Sequence, residues 1–477
     1  MERLPFSPPV RSPRPAMSLK SDSTIAAIAT PPGLGGIGII RISGPAALTI
    51  LKKIFIPRNP SCSFISHRLY YGWVKEPETR RCLDEVLAVY MRAPHTYTRD
   101  EVAEIHAHGS FAALQQIMAL VINSGARLAD PGEFTKNAFL NGRLDLTQAE
   151  AVIDLLQAKT SQGLSAAVAQ LKGGVEKEIK KITELLTTIK ARVEVAIDFP
   201  DEETEILNSE ILKRQIEPAL KDLEDLISAA DHGKIIKDGI SAVIIGRPNV
   251  GKSSLLNALL KEDRAIVTAV PGTTRDTVEE YLDILGLPVH IVDTAGIRQA
   301  RGEVEEIGIQ RSMAKLAAAD LVIMLLDAGS PLHADDERLF AKATGKPLII
   351  VINKTDIKRP EIIREHYARF SDTAIVAISA RTGDGLPQLE RLIYKTITGA
   401  DYSVEPRQAI PNLRHQAAMA KALKAGRSFL QGLNNGLAPD LMAIDLQTAL
   451  DYLGEIVGYT TTEDILDKIF GDFCLGK

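Results

Sequence analysis

Gly246-Arg-Pro-Asn-Val-Gly251-Lys252-Ser253 follows the apolar run 240–245 and precedes Ser254-Leu-Leu-Asn-Ala-Leu-Leu260, whose spacing is helical. A strand, a glycine-bearing loop and a helix in this order fit the phosphate loop G-x-x-x-x-G-K-[ST]. The glycines let backbone N–H groups close around phosphate oxygens at a helix N-terminus, where peptide dipoles favour anions. Lys252 would neutralise the β and γ phosphates, and the Ser253 hydroxyl would ligate Mg²⁺. Asn249, Val250 and Ser254 complete the stretch expected to touch nucleotide.

Outward from the loop, the runs 289–292, 321–326, 348–352 and 374–378 are continuously apolar and separated by helix-length segments. That pattern predicts a buried parallel sheet. Nucleotide-type signals sit at its strand ends. Asp293-Thr294-Ala295-Gly296 suits the Mg²⁺ shell and the γ-phosphate. The carboxylate of Asp356, in Asn353-Lys354-Thr-Asp356, can accept from guanine N1–H and its amino group, which adenine does not offer. Ser379-Ala380-Arg381 supplies donors to the guanine oxygen, and Gly272-Thr273-Thr274-Arg275-Asp276 supplies a switch threonine for Mg²⁺. Five elements in the right order predict a GTP-binding domain. After Gly296 comes Ile297, where many GTPases carry the glutamine that orients the attacking water. Asn249 has two readings: a turn former after Pro248, or a ligand for a monovalent cation near the phosphates.

The remaining sequence has other textures. Residues 1–22 alternate prolines with arginines and predict a disordered extension, or an upstream start before Met17. Residues 23–140 carry short β-rich runs (38–43, 86–91, 102–106) and one helix, 111–123, the reading of an α+β domain. Residues 141–235 and 399–477 are helical in pattern; Ile179, Ile182, Leu185, Leu186, Ile189 and Val193 follow three-and-four spacing. The reading is a helical domain interrupted by an α/β domain at 236–398.

The 477 residues are 45% hydrophobic and 25% charged, which excludes a mostly disordered chain. With Lys+Arg 56 against Asp+Glu 61, net charge −5, no global basic field draws the protein onto nucleic acid, so RNA contact requires a local patch. Three scattered cysteines make neither a disulfide framework nor a zinc site and fit a cytoplasmic protein. No apolar run is long enough for a membrane span. His106 and His108 lack an evident third metal ligand and read as a polar turn.

The tail Phe473-Cys474-Leu475-Gly476-Lys477 carries a C-terminal Cys-x-Gly-Lys. Together with Gly35-Gly-Ile-Gly-Ile-Ile-Arg41-Ile-Ser-Gly44, Glu104-Ile-His-Ala-His108-Gly109, Pro131-Gly-Glu-Phe-Thr135 and Ala138-Phe-Leu-Asn-Gly-Arg-Leu-Asp-Leu146, it resembles the MnmE (TrmE) family of tRNA wobble-uridine modification GTPases over residues 23–477. The resemblance implies an N-terminal folate-binding and dimerisation domain and a Ras-like G domain inserted into the helical domain. It also implies a homodimer, the FAD-dependent partner MnmG, and addition of an aminomethyl or carboxymethylaminomethyl group to C5 of the tRNA wobble uridine. Folate contacts, to 5-formyltetrahydrofolate or a related one-carbon tetrahydrofolate, fall on Arg41, Glu104, Arg143 and Lys477. K⁺ ligands fall on Asn249, Thr268, Val270 (through its carbonyl) and Thr273, and Mg²⁺ on Ser253 and Thr274; Thr268 and Thr273 also belong to the GTP site. Glu305 matches the glutamate that orients water, with a helix-start acid as the other reading. Cys474 is implied as an acting thiol, with a small core side chain as the other reading.

Two rival readings remain at this stage. A ribosome-assembly GTPase would share the phosphate loop, but Gly33-Leu-Gly35-Gly36 is a poor match to the Gly-x-x-Gly loop of its RNA-binding module. A membrane-associated GTPase finds no lipidation signal, since Cys474-Leu-Gly-Lys lacks two aliphatic residues.

Overall fold

The computed structural model describes residues 23–31, 33–61, 63–199, 209–261, 265–267, 280–292, 316–357, 360–402, 410–471, 473 and 476. Contacts divide the chain into two compact units, one of Met1–Ile153, Glu176–Ala219 and Lys421–Lys477, the other of Asp154–Val175 and Leu220–Ala420.

The first unit is built on strands β1 (Ile25–Ile28), β2 (Gly35–Ser43), β3 (Phe55–Pro57), β4 (Arg68–Lys75), β5 (Cys82–Met91), β6 (Val102–Gly109) and β7 (Arg127–Leu128). They form one sheet in the order β3-β4-β5-β6-β2-β1-β7, with β1 and β7 parallel and the other neighbours antiparallel. Alternate residues of each strand point to opposite faces. Ile40, Ile42, Ala88 and Ile105 therefore turn together against Ile50 and Leu51 of helix Ala47–Ile54 and Ile117 and Val121 of helix Phe111–Asn123. Arg41, Leu87, Glu104 and His106 take the other face. In the helical part of this unit, Ile179, Ile182, Leu186, Ile189 and Val193 of helix Gly174–Asp198 are each no more than 1% exposed. Leu185, expected with them, is half-buried at the edge of that stripe.

The second unit contains β8 (Ile240–Ile245), β9 (Ala265–Val267), β10 (Glu280–Ile284), β11 (Leu287–Val292), β12 (Leu321–Asp327), β13 (Leu348–Asn353) and β14 (Ala374–Ala377). Its sheet order is β14-β13-β12-β8-β11-β10-β9, parallel from β14 through β11, with β10 and β9 joined antiparallel. Leu255 and Leu259 of helix Lys252–Lys261 and Leu389 and Ile393 of helix Leu386–Thr398 pack with Ile323 and Leu325. Phe340 of helix Ala334–Ala343 and Phe370 pack with the opposite side chains Met324 and Leu326. Helices thus cover both faces, which is why strands β12 and β13 are apolar throughout rather than alternating. This is a Ras-like α/β arrangement. The strand order reverses at β8, so the loop after β8 opens at a topological switch point, the usual ligand position in such sheets.

Ile323 is fully buried in β12, an interior strand of this sheet. Ile323→Ala should lower the stability of the α/β unit by about 2–5 kcal/mol. The check is urea unfolding followed by hydrogen exchange on peptides of that unit.

Candidate functional site

The loop 246–251 leaves β8 and enters helix Lys252–Lys261. Its conformation depends on two glycines. Gly246 has φ +149°, and a Cβ there would lie 2.6 Å from the Leu325 carbonyl oxygen. Gly251 has φ +103°, and a Cβ there would lie 2.2 Å from Asn353 Nδ2. Asn249 adopts φ +66°, a left-handed conformation that asparagine tolerates well. Lys252 folds over the loop and donates through Nζ to the Gly246 and Arg247 carbonyls, both at 2.8 Å. Burial lowers the pKa of this ammonium, because its charge has lost water. Ser253 and Ser254 are exposed in the first turn of the helix. Behind the loop, the Arg247 guanidinium holds buried Asp336 at 2.9 Å and donates to Ser330 Oγ at 3.2 Å.

Three strand ends meet beside this loop. Asn353, at the end of β13, donates from Nδ2 to the Val250 carbonyl at 2.9 Å and accepts at Oδ1 from the Ala380 N–H at 3.0 Å. Lys354 has φ +68° and pairs through Nζ with Asp327 Oδ2, 2.7 Å away at the end of β12. Asp356 Oδ1 accepts from Ser379 Oγ at 2.9 Å, while the exposed Arg381 guanidinium stands 3.9 Å from Oδ2. The residues singled out at 249–254, 353–356 and 379–381 therefore converge at one end of the sheet. Asp327 was not among them. It lies just past an apolar run, and sequence gives no sign of its pairing with Lys354.

A second constellation lies on the open face of the first unit's sheet. Register sets Arg41 of β2 directly across from Glu104 of β6, and Leu87 of β5 across from His106. Arg41 Nε donates to Glu104 Oε1 at 2.8 Å, and His106 Nε2 lies 3.3 Å from Glu104 Oε2. Burial pushes the Glu104 carboxyl upward, but the hydrogen bonds from His106 and Arg41 outweigh it and hold the group below its ordinary pKa. Arg41 Nη1 also donates to the Gly476 carbonyl at 3.3 Å. The Arg41 and Arg143 guanidiniums approach the Tyr97 ring at 5.9 Å and 4.6 Å from its centroid, and Arg143 Nη1 donates to the Tyr97 carbonyl at 3.2 Å. Tyr97 itself is tied to Thr135 through hydroxyls 2.9 Å apart. Its tie to both arginines is invisible in the linear chain.

The polar turn expected at His106 and His108 is instead part of strand β6, held in register with β2 as far as Gly109. His108 pairs with Asp84 at 2.7 Å, and among the described residues no group of three or more His, Cys, Asp or Glu could hold a metal. Thr268, Val270, Thr273, Thr274, Asp293, Thr294, Ala295, Gly296, Ile297, Glu305, Cys474 and Lys477 lie outside the described residues.

Comparison with known proteins covers nearly the whole chain. The family model for the MnmE helical domain matches residues 146–474, and that for the GTP-binding protein TrmE N-terminus matches residues 24–143. The tRNA modification GTPase MnmE of Desulfotalea psychrophila is 49% identical over 467 residues, covering 97% of this chain and all of the relative. The proteins of the same name from Natranaerobius thermophilus and Geobacillus thermodenitrificans are 43% and 44% identical over 96% and 95% of the chain, covering 100% and 99% of themselves.

Glu104 offers a direct check on the sheet-face site. Its folded pKa lies below the unfolded value, so its contribution to stability is complete above the unfolded pKa of about 4.3 and is lost as pH falls through the folded one. Glu104→Gln should cost about 1–2 kcal/mol at pH 7, a buried-pair loss discounted for partial exposure. The variant should also lack the acid-side loss that the wild type shows below about pH 4.3. Thermal unfolding from pH 3 to 7 measures both.

Proposed function

The chain belongs to the MnmE (TrmE) family of tRNA modification GTPases, and from that premise we propose that it hydrolyses GTP while helping to modify the wobble uridine of tRNA. The finer reading is a cytoplasmic homodimer that works with the FAD-dependent protein MnmG. Together they would place an aminomethyl or carboxymethylaminomethyl group on C5 of that uridine.

For the nucleotide, the loop after β8 offers backbone N–H groups at a helix N-terminus. Lys252 now satisfies its ammonium on two loop carbonyls; phosphate oxygens would take their place and meet a partly desolvated cation. The carboxylate of Asp356 would accept from guanine N1–H and N2–H, and the Ser379–Arg381 segment would supply donors to O6. Ser253 and Thr274 would hold Mg²⁺, which when bound offsets phosphate charge. Asn249, Thr268, Thr273 and the Val270 carbonyl would hold K⁺, and Glu305 would orient water in place of the glutamine that Ile297 replaces.

For the one-carbon cofactor, the polar set Arg41, Glu104, Arg143 and Lys477 suits a pterin edge with N–H groups and a glutamate tail. When bound, the folate supplies the one-carbon unit; the chain's part is to seat and orient it. Dimerisation finds support on the same sheet face, where Ile56, Leu69, Tyr71 and Leu87 are all at least 39% exposed beside the Arg41–Glu104 pair.

The observation that carries the reading is the seating of the chain end on the Arg41–Glu104 pair. Gly476 gives its carbonyl to Arg41, and a Cβ on Gly476 would stand 2.7 Å from the Ile28 carbonyl oxygen. Gly476, from the Cys-x-Gly-Lys sequence, thereby lies at the proposed cofactor site.

The first test is the nucleoside content of bulk tRNA by mass spectrometry in cells lacking the gene. Loss of the wobble aminomethyl group, restored by the intact gene and not by Cys474→Ser, is expected. Unchanged tRNA with no redundant route present would overturn the reading in favour of a ribosome-assembly switch. For the nucleotide site, Asp356→Asn should weaken GTP binding about a hundredfold or more and favour xanthosine triphosphate, whose base presents an acceptor where guanine presents a donor. Competition binding measures the exchange.

A further inference from the structure

The first unit contains a cavity of about 390 Å³ between residues 139–148 and the turn that joins helix Pro439–Val457 to helix Glu463–Gly471. Its volume falls within the range of small-molecule sites. Its wall is fixed by close contacts. Gly458 has φ +96°, and a Cβ there would strike the Phe139 ring at 2.8 Å. Thr460 Oγ1 donates to the Asp451 carbonyl at 3.0 Å, anchoring the turn to the preceding helix.

Polar groups converge on this cavity. Thr461 lines it, and its Oγ1 is buried without a hydrogen-bond partner among the described residues. A buried hydroxyl in that state marks a place where a ligand atom would recover a lost bond. Arg143, Gln148 and Glu176 also line the cavity, and Tyr459 contributes a ring that is 54% exposed. Arg143 meanwhile donates to the Tyr97 carbonyl and lies over the ring that Arg41 also approaches. One side chain therefore belongs both to the cavity wall and to the Arg41–Glu104 constellation.

We propose that this cavity receives the target uracil of the tRNA, turned out of its loop and stacked against Tyr459. The inference rests on the tRNA-modification reading above and adds the place where the base is held. Uracil presents an acceptor, a donor and an acceptor at O4, N3–H and O2. Arg143 and Thr461 supply donors, Glu176 supplies an acceptor, and the Gln148 amide supplies either. Enzymes that act on a base read it in this way, by its pairing edge and by stacking on an aromatic side chain. The position also meets a demand of the chemistry. The carbon that accepts the new group must meet the one-carbon donor, and Arg143 is shared by the two sites.

The test uses the full-length protein with its FAD-dependent partner and an anticodon stem-loop carrying 4-thiouridine at the wobble position. Irradiation and peptide mass spectrometry should find the cross-link within residues 139–148 or 457–461. A cross-link elsewhere, or none while the RNA remains bound, overturns the proposal. Thr461→Val and Tyr459→Ala should each weaken stem-loop binding, Tyr459→Ala by about tenfold, the loss of one base–aromatic stack. Both should leave GTP hydrolysis and 5-formyltetrahydrofolate binding unchanged, with unchanged thermal unfolding showing that the variants fold. Weakened folate binding with unaltered RNA binding would assign the cavity to the cofactor and overturn the proposal. Failure of the underlying reading would appear differently, as unchanged tRNA nucleosides in cells without the gene.

Discussion

One buried amide holds the nucleotide site in shape. Asn353 is 2% exposed, yet it satisfies the Val250 carbonyl and the Ala380 N–H together. The loops after β8, β13 and β14 are thereby fixed against one another by two hydrogen bonds from a single side chain. Burying such a group is favourable only when both ends are paired, since a half-satisfied buried amide costs more than one bond returns. The neighbouring residues follow from this. Gly251 is glycine because a methyl group there would occupy the position of the Asn353 amide. The Lys354–Asp327 pair then extends the same joint to the end of β12, so four strand ends are locked before any base arrives. Preorganisation of this kind limits the ordering cost of binding.

The sheet-face site depends on parity. Arg41 and Glu104 meet because β2 and β6 pair in a register that leaves Ile40, Ile42 and Ile105 facing the helices. A slip by one residue would turn the ion pair into the core and the isoleucines into water, so the apolar face enforces the polar one. The bond between Arg41 and the Gly476 carbonyl then ties residues at opposite ends of the chain. Phe473 is 5% exposed, its ring tilted against that of Phe470 with centroids 5.4 Å apart. Glu104 stays ionised because its hydrogen bonds are stronger than its burial penalty, which suits a group that must accept N–H donors.

Much of the α/β unit was legible from sequence. The apolar runs at 240–245, 289–292, 321–326, 348–352 and 374–378 are buried strands, and each differs from the observed element by at most two residues at an end. Continuous apolarity between turn residues is a local property, and so is the glycine spacing of the phosphate loop. Helix Phe111–Asn123 was readable for the same reason. What escaped was non-local. His108 lies beyond the β-rich run 102–106 and read as part of a polar turn, whereas pairing of β6 with β2 as far as Gly109 carries the strand through it. Tyr97 between two arginines, Asp327 under Lys354 and the cavity at Thr461 all need residues distant in sequence to meet.

The helix Ser161–Leu171 shows why helical texture does not decide which residues move together. Thr160 caps it by accepting from the Gly163 N–H at 3.1 Å, and its hydroxyl also donates to the Gly286 carbonyl at 2.8 Å. That carbonyl belongs to the tight turn between β10 and β11. Lys159 reaches the Tyr281 ring, with Nζ 3.8 Å from its centroid, while Gln162 fills the space beside Gly286, where a Cβ would lie 2.1 Å from its Oε1. A hydroxyl that both caps a helix and bonds a hairpin cannot keep both bonds if either element shifts alone. The helix is accordingly part of the α/β unit by contact, although its sequence resembles that of the helices around it. The expected phosphate-sensing residues Asp293–Gly296 follow β11 in sequence, so this helix is fastened to the strand pair that precedes them. The grouping is set by three side chains at positions 159, 160 and 162, and by the absence of one at 286.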